Sequence, residues 1–326
     1  MKKIHYSLFC SIIVFGFCSD ALAQRNVIKY NDEIWKGITV QVTPTPSMLP
    51  NIYDIEEIGK HGKYIWIKNR IKEPKFALID SVQIREVAAW GYIGQGPREF
   101  LKTAMWVEGE DEYIRIYDNY KMHKFILHND SLHYIGKTQC NNEPDFLQTI
   151  HAINDSIVCG YKYAPREIGI HLLNIISQQS FDAIRVNEGY FTNKETPYEL
   201  SMTVFNDKVI VGRKNFNQIE IYKINHKDRT LKEEFIINYN NASVQKINKE
   251  KACYLININA NEKHFYMQNQ DTDQPGQKTY VDIYTWSGKP VKRIILDDLY
   301  LQGTLIGDTM YLKKCSDDDN LYLLIL

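Results

Sequence analysis

The chain has 326 residues, 39 Lys and Arg against 40 Asp and Glu, and a formal net charge of −1. That balance excludes a global basic field for nucleic acid. Aromatic residues make up 12%, with 22 tyrosines against only 10 prolines, a composition that suits an all-β protein because strands favour aromatic and β-branched side chains.

The chain opens with Met1-Lys2-Lys3, a short positive segment, and an apolar run over residues 7–17. Ala21-Leu22-Ala23 follows, with the small residues that a signal peptidase reads, so residues 1–23 are expected to be a signal peptide cut before Gln24. The apolar run is well short of the ~20 residues of a membrane span, and no other segment is long and apolar enough to be one. A lipid-anchored Cys18 is the alternative, although Phe15-Gly16-Phe17 is bulkier than a good lipobox. The mature chain, residues 24–326, is therefore expected in the periplasm or outside the cell, where disulfides are permitted. Cys140, Cys159, Cys253 and Cys315 are irregularly spaced and form no CxxC pair. They read as buried or weakly paired thiols, and no structural zinc is indicated.

An internal period then organises the chain. "KYIWIKN" at Lys63 is similar to "EYIRIYDN" at Glu112, "DSIVCGYK" at Asp155, "DKVIVGRK" at Asp207, "KHFYMQNQ" at Lys263 and "DTMYLKKC" at Asp308. Aligned on Ile65, Ile114, Ile157, Val209, Phe265 and Met310, the units recur every 43 to 56 residues, near the ~40–50 of a propeller blade with loop insertions. Each aligned strand has a preceding strand, a following one and, in most units, a further outer strand, as in "WSGKPVKRIILDD" from Trp286. Four strands in each of six units predict one all-β domain over residues 24–326, a six-bladed β-propeller. The last unit ends one strand short, at Leu326. Residues 34–42, with alternation at Ile38, Val40 and Val42, are expected to supply the outer strand of that last blade and close the ring.

Between the first and second units lies "WGYIGQGPREF", from Trp90 to Phe100. Gly94 and Gly96 are expected to take positive φ in a tight crossing. Pro97 fixes the exit, Glu99 accepts turn N–H groups, and Phe100 packs between units. A phosphate loop would need a following helix and a Lys-Ser/Thr pair, and neither is present. Together with Tyr117, Asp118, Phe125 and Asp130, this loop resembles the TolB-like and NHL-like six-bladed propeller proteins, secreted proteins of a largely uncharacterised kind. In that family a G-x-G-P-x-E-F loop leads into the inner strand of a blade. The family's commoner glycine after the proline is replaced here by Arg98. The resemblance implies the fold and leaves the ligand open.

Catalytic signatures are missing: there is no G-x-S-x-G, and the nine histidines are scattered. The stretch from Asp271 to Gly276 lacks the later glutamate of a calcium loop and reads as a hairpin, as Asp317-Asp318-Asp319 reads as a solvated turn. The crossings between units and the turns after each second strand should open on one face. That geometry gathers Arg98, Arg70, Tyr120, Tyr161, Lys162, Arg213 and Lys314 on a polar, partly cationic rim. The expected function is a non-catalytic binding module for an anionic or hydroxyl-rich ligand, a glycan, a peptide or a protein partner. The alternative is a hydrolase, lactonase or lyase with a divalent cation in the central channel.

Overall fold

Short apolar-aromatic runs punctuated by Gly, Asn and Asp give strands throughout, and no helix occurs among the described residues. The computed structural model describes residues 26–30, 37–45, 49–94, 96, 99–101, 104–140, 147–162, 169–177, 179–185, 200–213, 218–239, 253–271 and 278–326. The expected signal peptide, Ile34, Pro97, Arg98 and most of the 271–276 loop lie outside them.

Three short strands come first: β1 (Val27–Tyr30), β2 (Gly37–Val40) and β3 (Thr43–Pro44). The first antiparallel unit is β4 (Ile55–His61), β5 (Tyr64–Asn69), β6 (Phe76–Asp80) and β7 (Arg85–Trp90). A two-residue pair, β8 (Tyr92–Ile93) and β9 (Glu99–Phe100), leads to the second unit, β10 (Met105–Gly109), β11 (Tyr113–Asp118), β12 (Lys121–His128) and β13 (Ser131–Gln139). The third is β14 (Leu147–Ala152), β15 (Ile157–Lys162), β16 (Gly169–Asn174) and β17 (Ser180–Arg185). The fourth is β18 (Leu200–Phe205), β19 (Lys208–Arg213), β20 (Gln218–Asn225) and β21 (Thr230–Tyr239). The fifth is β22 (Cys253–Ala260), β23 (His264–Asp271), β24 (Thr279–Thr285) and β25 (Pro290–Leu296). The last is β26 (Tyr300–Ile306), β27 (Thr309–Lys314) and β28 (Asp317–Ile325). Within each unit consecutive strands pair antiparallel, and parallel pairing of Glu108 with His151 joins the second and third units into one eight-stranded sheet. The arrangement is propeller-like.

The first strand of every unit is the inner one. β4 contacts β10 and β26, and the sequence of contacts continues through β14, β18 and β22. Apolar clusters fill the spaces between neighbouring units. Trp66, Phe76, Trp90, Phe100, Trp106 and Phe125 lie between the first and second. Tyr161, Leu172, Met202 and Tyr222 lie between the third and fourth. Ile55, Ile65 and Ile79 meet Tyr311 and Leu321 between the first and last. The aligned residues of the period sit in the second strands, where Ile65, Ile114, Val209, Phe265 and Met310 are 0% exposed.

The N-terminal segment takes a route the alternation does not predict. β1 pairs parallel with β21. β2 pairs parallel with β25 of the fifth unit, Ile38 opposite Ile294 and Val40 opposite Leu296. On the last unit, Thr43 and Pro44 pair with Leu323 and Tyr322 of β28, and Thr45 N–H donates to Leu321 O at 2.8 Å. Ile38 and Val40 were expected on that last unit. The reason is Val42, which is buried between the fifth and last units among Leu296, Tyr300 and Leu305. Its side chain steers the segment from one outer edge to the next.

Removing residues 24–44 uncovers β21, β25 and β28 and takes Val42 out of the core. One buried Val or Ile contributes about 1.5–3 kcal/mol, so the shortened chain is expected to melt at clearly lower temperature and less cooperatively. A calorimetric scan that superimposes on that of the mature chain would mean that the segment contributes no stability.

Candidate functional site

Antiparallel pairing puts two kinds of connection on opposite faces. The crossings between units and the turns after each second strand open on one face, called here the loop face. The turns after each inner strand open on the other.

On the loop face, the strand ends carry the residues the sequence singles out, and burial separates them. Arg70 is exposed and pairs with Asp54 at 3.4 Å. Lys314 is half-buried, 2.7 Å from Asp298 and 5.6 Å from the Tyr322 ring. Lys162 is half-buried. Tyr120 is half-buried with φ of 61°, beside Asn119 at 45°, in the turn between β11 and β12. Tyr161 and Arg213 do not reach the rim. Tyr161 still pairs with Thr149 within the sheet and is 1% exposed in the core between the third and fourth units. Arg213 is 7% exposed and donates to Glu220 Oε1 from Nε at 2.9 Å and from Nη2 at 2.6 Å. Gln218 Nε2 donates to the same oxygen at 2.8 Å, and the Tyr222 hydroxyl donates to Oε2 at 2.5 Å. Burial would raise the Glu220 carboxyl, but Arg213, Tyr222 and Gln218 together hold it below the usual range. Arg213 is thus part of a buried charge network. The signal for it was Glu220 seven residues on, on the next strand, where it pairs with Val211 and lies diagonal to Arg213.

The crossing that carries Gly94 and Gly96 is built differently from the expectation. Neither takes positive φ; Gly91 does, at 91°. The two glycines instead make room for a carboxylate. A Cβ on Gly94 would lie 2.2 Å from Glu99 Oε2, which accepts the Gly96 N–H at 2.8 Å. Phe100 is 1% exposed and meets Phe76 of the first unit and His123 and Phe125 of the second. Leu101 N–H donates to Asp118 Oδ2 at 3.1 Å. Asp118 Oδ1 and His123 Nδ1 are buried without a partner. Burial, with Lys137 and Lys121 nearby, lowers His123 to about 4.

The same crossing exposes large apolar side chains. Tyr92 and Ile93 are each 51% exposed, Leu101 40% and, in the neighbouring turn, Ile71 75%. Ile93 N–H donates to Glu73 Oε1 at 2.9 Å and ties that turn to the crossing. Lys72 lies 4.7 Å over the Tyr53 ring beside it. No sequence signal marked this patch, because Tyr92 and Ile93 read only as part of a tight crossing.

The inner strands line a central cavity of ≈ 250 Å³, with Glu57, Trp66, Trp106, Ser201, Asn257, Asn259 and Gln302 on its wall. At the face opposite the loops it widens into a mouth of ≈ 810 Å³. There Lys60 reaches past the last unit to donate to the Ala260 carbonyl at 3.1 Å, and lies 5.3 Å over Phe205. His151 Nδ1 stands 3.5 Å from Glu108 Oε2. Burial keeps His151 below the usual histidine range. Among the described residues no three His, Cys, Asp or Glu side chains form a group able to hold a metal ion. Cys140 and Cys159 are free and buried, which pushes their thiols up to about 11 and about 12; Cys315 is free and exposed.

No protein-family model matches the chain, and no curated protein is similar to it. Solved structures are similar in fold. A Bacteroides fragilis protein named for its expected export is 10% identical, with a TM-score of 0.56, over 92% of this chain and 99% of its own. A member of the DUF4221 family from Bacteroides vulgatus is 10% identical, with a TM-score of 0.53, over 87% and 94%. The β-propeller domain of Cps50 from Myceliophteria thermophila is 6% identical, with a TM-score of 0.52, over 85% and 97%. At these identities the likeness establishes the β-propeller fold. No helix among the described residues is long and apolar enough to cross a membrane.

Two measurements follow from the buried groups. Arg213→Ala strips the buried Glu220 of its ion-pair partner and is expected to cost ~3–5 kcal/mol in chemical denaturation, whereas exposed Arg70→Ala should stay within ~1 kcal/mol. Equal small losses would mean that Arg213 is solvated after all. His123 stays neutral in the folded chain down to about pH 4, while the unfolded chain takes up a proton near the ordinary 6.5. Its contribution is therefore full above 6.5 and is lost as pH falls toward 4. Wild-type stability should fall more steeply over that window than that of His123→Gln; parallel profiles would refute the buried neutral imidazole.

Proposed function

We propose that the chain is an exported β-propeller of the TolB-like or NHL-like kind, cleaved after residue 23. In this reading residues 24–326 form one domain of six blades, whose ring the N-terminal segment closes. The cycle of inner-strand contacts and the apolar cluster between first and last units support it, as does the likeness to a Bacteroides fragilis protein named for export. Its work is binding, and the loop face is the docking surface for a protein or peptide partner.

One observation carries the choice of face: Ile71, Tyr92, Ile93 and Leu101 leave large apolar surface in water around a crossing tied down by hydrogen bonds. Exposed apolar patches rimmed by polar groups mark interaction sites, and aromatic side chains supply most of the energy at such sites. Arg70 and Lys72 flank the patch, and Arg98 belongs to the same crossing in sequence. The partner is accordingly an acidic segment with apolar or hydroxyl-bearing side chains, and Tyr120, Lys162 and Lys314 extend the contact around the rim. An exposed ion pair is worth at most ~1 kcal/mol, so the apolar patch supplies the affinity and the cations the orientation.

The test compares Ile71→Ser/Ile93→Ser, Arg70→Ala/Arg98→Ala and the wild type on a panel of acidic peptides and glycans, with melting followed in parallel. The apolar pair is expected to abolish binding at nearly unchanged stability, and the cationic pair to weaken it. Wild-type binding that survives the apolar double substitution would exclude this patch.

A further inference from the structure

The mouth opposite the loop face holds a lysine that the binding reading does not use. Lys60 is the last residue but one of β4, the inner strand of the first unit, and its side chain extends across the channel to the fifth unit. Nζ donates to Ala260 O of the fifth unit at 3.1 Å and lies 5.3 Å from the Phe205 ring of the fourth. Among the described residues no carboxylate forms an ion pair with it. An ammonium has three donors, and only one is engaged. The amine faces a mouth of ≈ 810 Å³, within the range of small-molecule sites.

The groups around the amine suit a particular chemistry. Glu108 of β10 and His151 of β14 line the same mouth, 3.5 Å apart. Glu110, held by the Asn206 N–H, and the exposed Glu262 and His226 complete its charged lining. Asp111 is engaged by Arg115 at 2.6 Å. Burial draws Lys60 below the usual lysine range, and Glu108 and Glu110 partly oppose it. Desolvation disfavours the ammonium and so leaves more of a lysine as the nucleophilic amine, and a neighbouring carboxylate–imidazole pair can move protons for it.

We propose that this mouth binds aldehydes and ketones, with Lys60 as the amine that captures them as a reversible imine. The Nζ lone pair attacks the carbonyl carbon, and the C=O π pair goes to oxygen, which takes a proton relayed by Glu108 and His151. That proton is the ammonium's third, passed first from Nζ to the Glu108–His151 pair; of the two left on Nζ, one goes to the oxygen, which leaves as water, the other to the pair, and C=N forms. No oxidant or reductant is required. Phe205 gives the ligand an apolar wall, and the exposed Asn206 and Glu262 on the same mouth favour a hydroxylated carbonyl compound. This site lies on the face away from Ile71 and Ile93, so its test is independent of the loop-face test.

The experiment is reductive trapping of the full mature chain with glycolaldehyde and cyanoborohydride over a pH series, read by peptide mass spectrometry. Lys60 is expected to be modified several-fold faster than Lys63 and Lys263, whose side chains are 61% and 68% exposed. Its rate should rise at lower pH than theirs, and Glu108→Gln should move that rise lower still. Lys60→Arg should abolish the fast phase and leave the slow one. Lys60 trapped no faster than Lys63, or with the same pH dependence, overturns the proposal. The wild-type comparison alone decides this even if a variant fails to fold.

Discussion

The seam between the last unit and the first is the constraint on which the rest depends. Lys313 of β27 is 2% exposed there, and its ammonium donates to the Ile55 carbonyl of β4 and stands 3.1 Å from Asp318. A buried ammonium without partners costs several kcal/mol, so it fixes how far apart the two units can sit. Tyr311 donates to Ser81 O at 2.8 Å, Ile58 donates to Gln302 Oε1 at 3.1 Å, and Asp54 donates to Asp319 Oδ1 at 2.8 Å across the same seam. The aspartates at 317–319 are therefore not a solvated turn. They begin β28, and Asp317 Oδ2 accepts the Tyr322 hydroxyl at 2.7 Å. With the first and last units meeting at this seam, polar bonds with fixed partners supply the register that apolar contact alone would leave loose.

Once the seam is set, the inner strands are held on both sides, and two mouths of different chemistry result. At the loop face most cations are answered: Arg70 by Asp54, Lys314 by Asp298, Arg213 by Glu220. Charge there is spent on structure, and what remains for a partner is apolar surface. At the opposite mouth the inner strands end with Lys60 and Glu108 unpaired to each other. Each inner strand contacts its neighbours, so these groups are positioned by packed strands and not by flexible loops.

The period was legible because the second strand of each unit is buried on both faces. Ile65, Ile114, Val209, Phe265 and Met310 have no solvent contact to tolerate polar replacement, and their recurrence survives loop insertions. The route of the N-terminus was not legible. Alternation at Ile38 and Val40 specifies a strand, but a parallel edge pairing with β25 has no local signature. Arg213 and Tyr161 were misplaced for a related reason: a residue at a strand end reads as turn, while its side chain follows the sheet's period of two into the core. The exposure of Ile71 and Ile93 was invisible because it depends on which neighbour fails to cover them.

The mouth cluster had a signal of a subtler kind. Lys60 stands five residues before Ile65, Glu108 six before Ile114 and His151 six before Ile157. The alignment that reveals the repeat also brings these three to nearly one column, the end of the inner strand. In a propeller-like arrangement of similar units, one column is one level of the channel. Residues that share a column converge on the axis although they lie some forty residues or more apart. Hydrophobic columns announce themselves by recurring in every unit. A functional column is heterogeneous by necessity, because a site needs an amine, a carboxylate and an imidazole together and has no use for a copy of each in every unit.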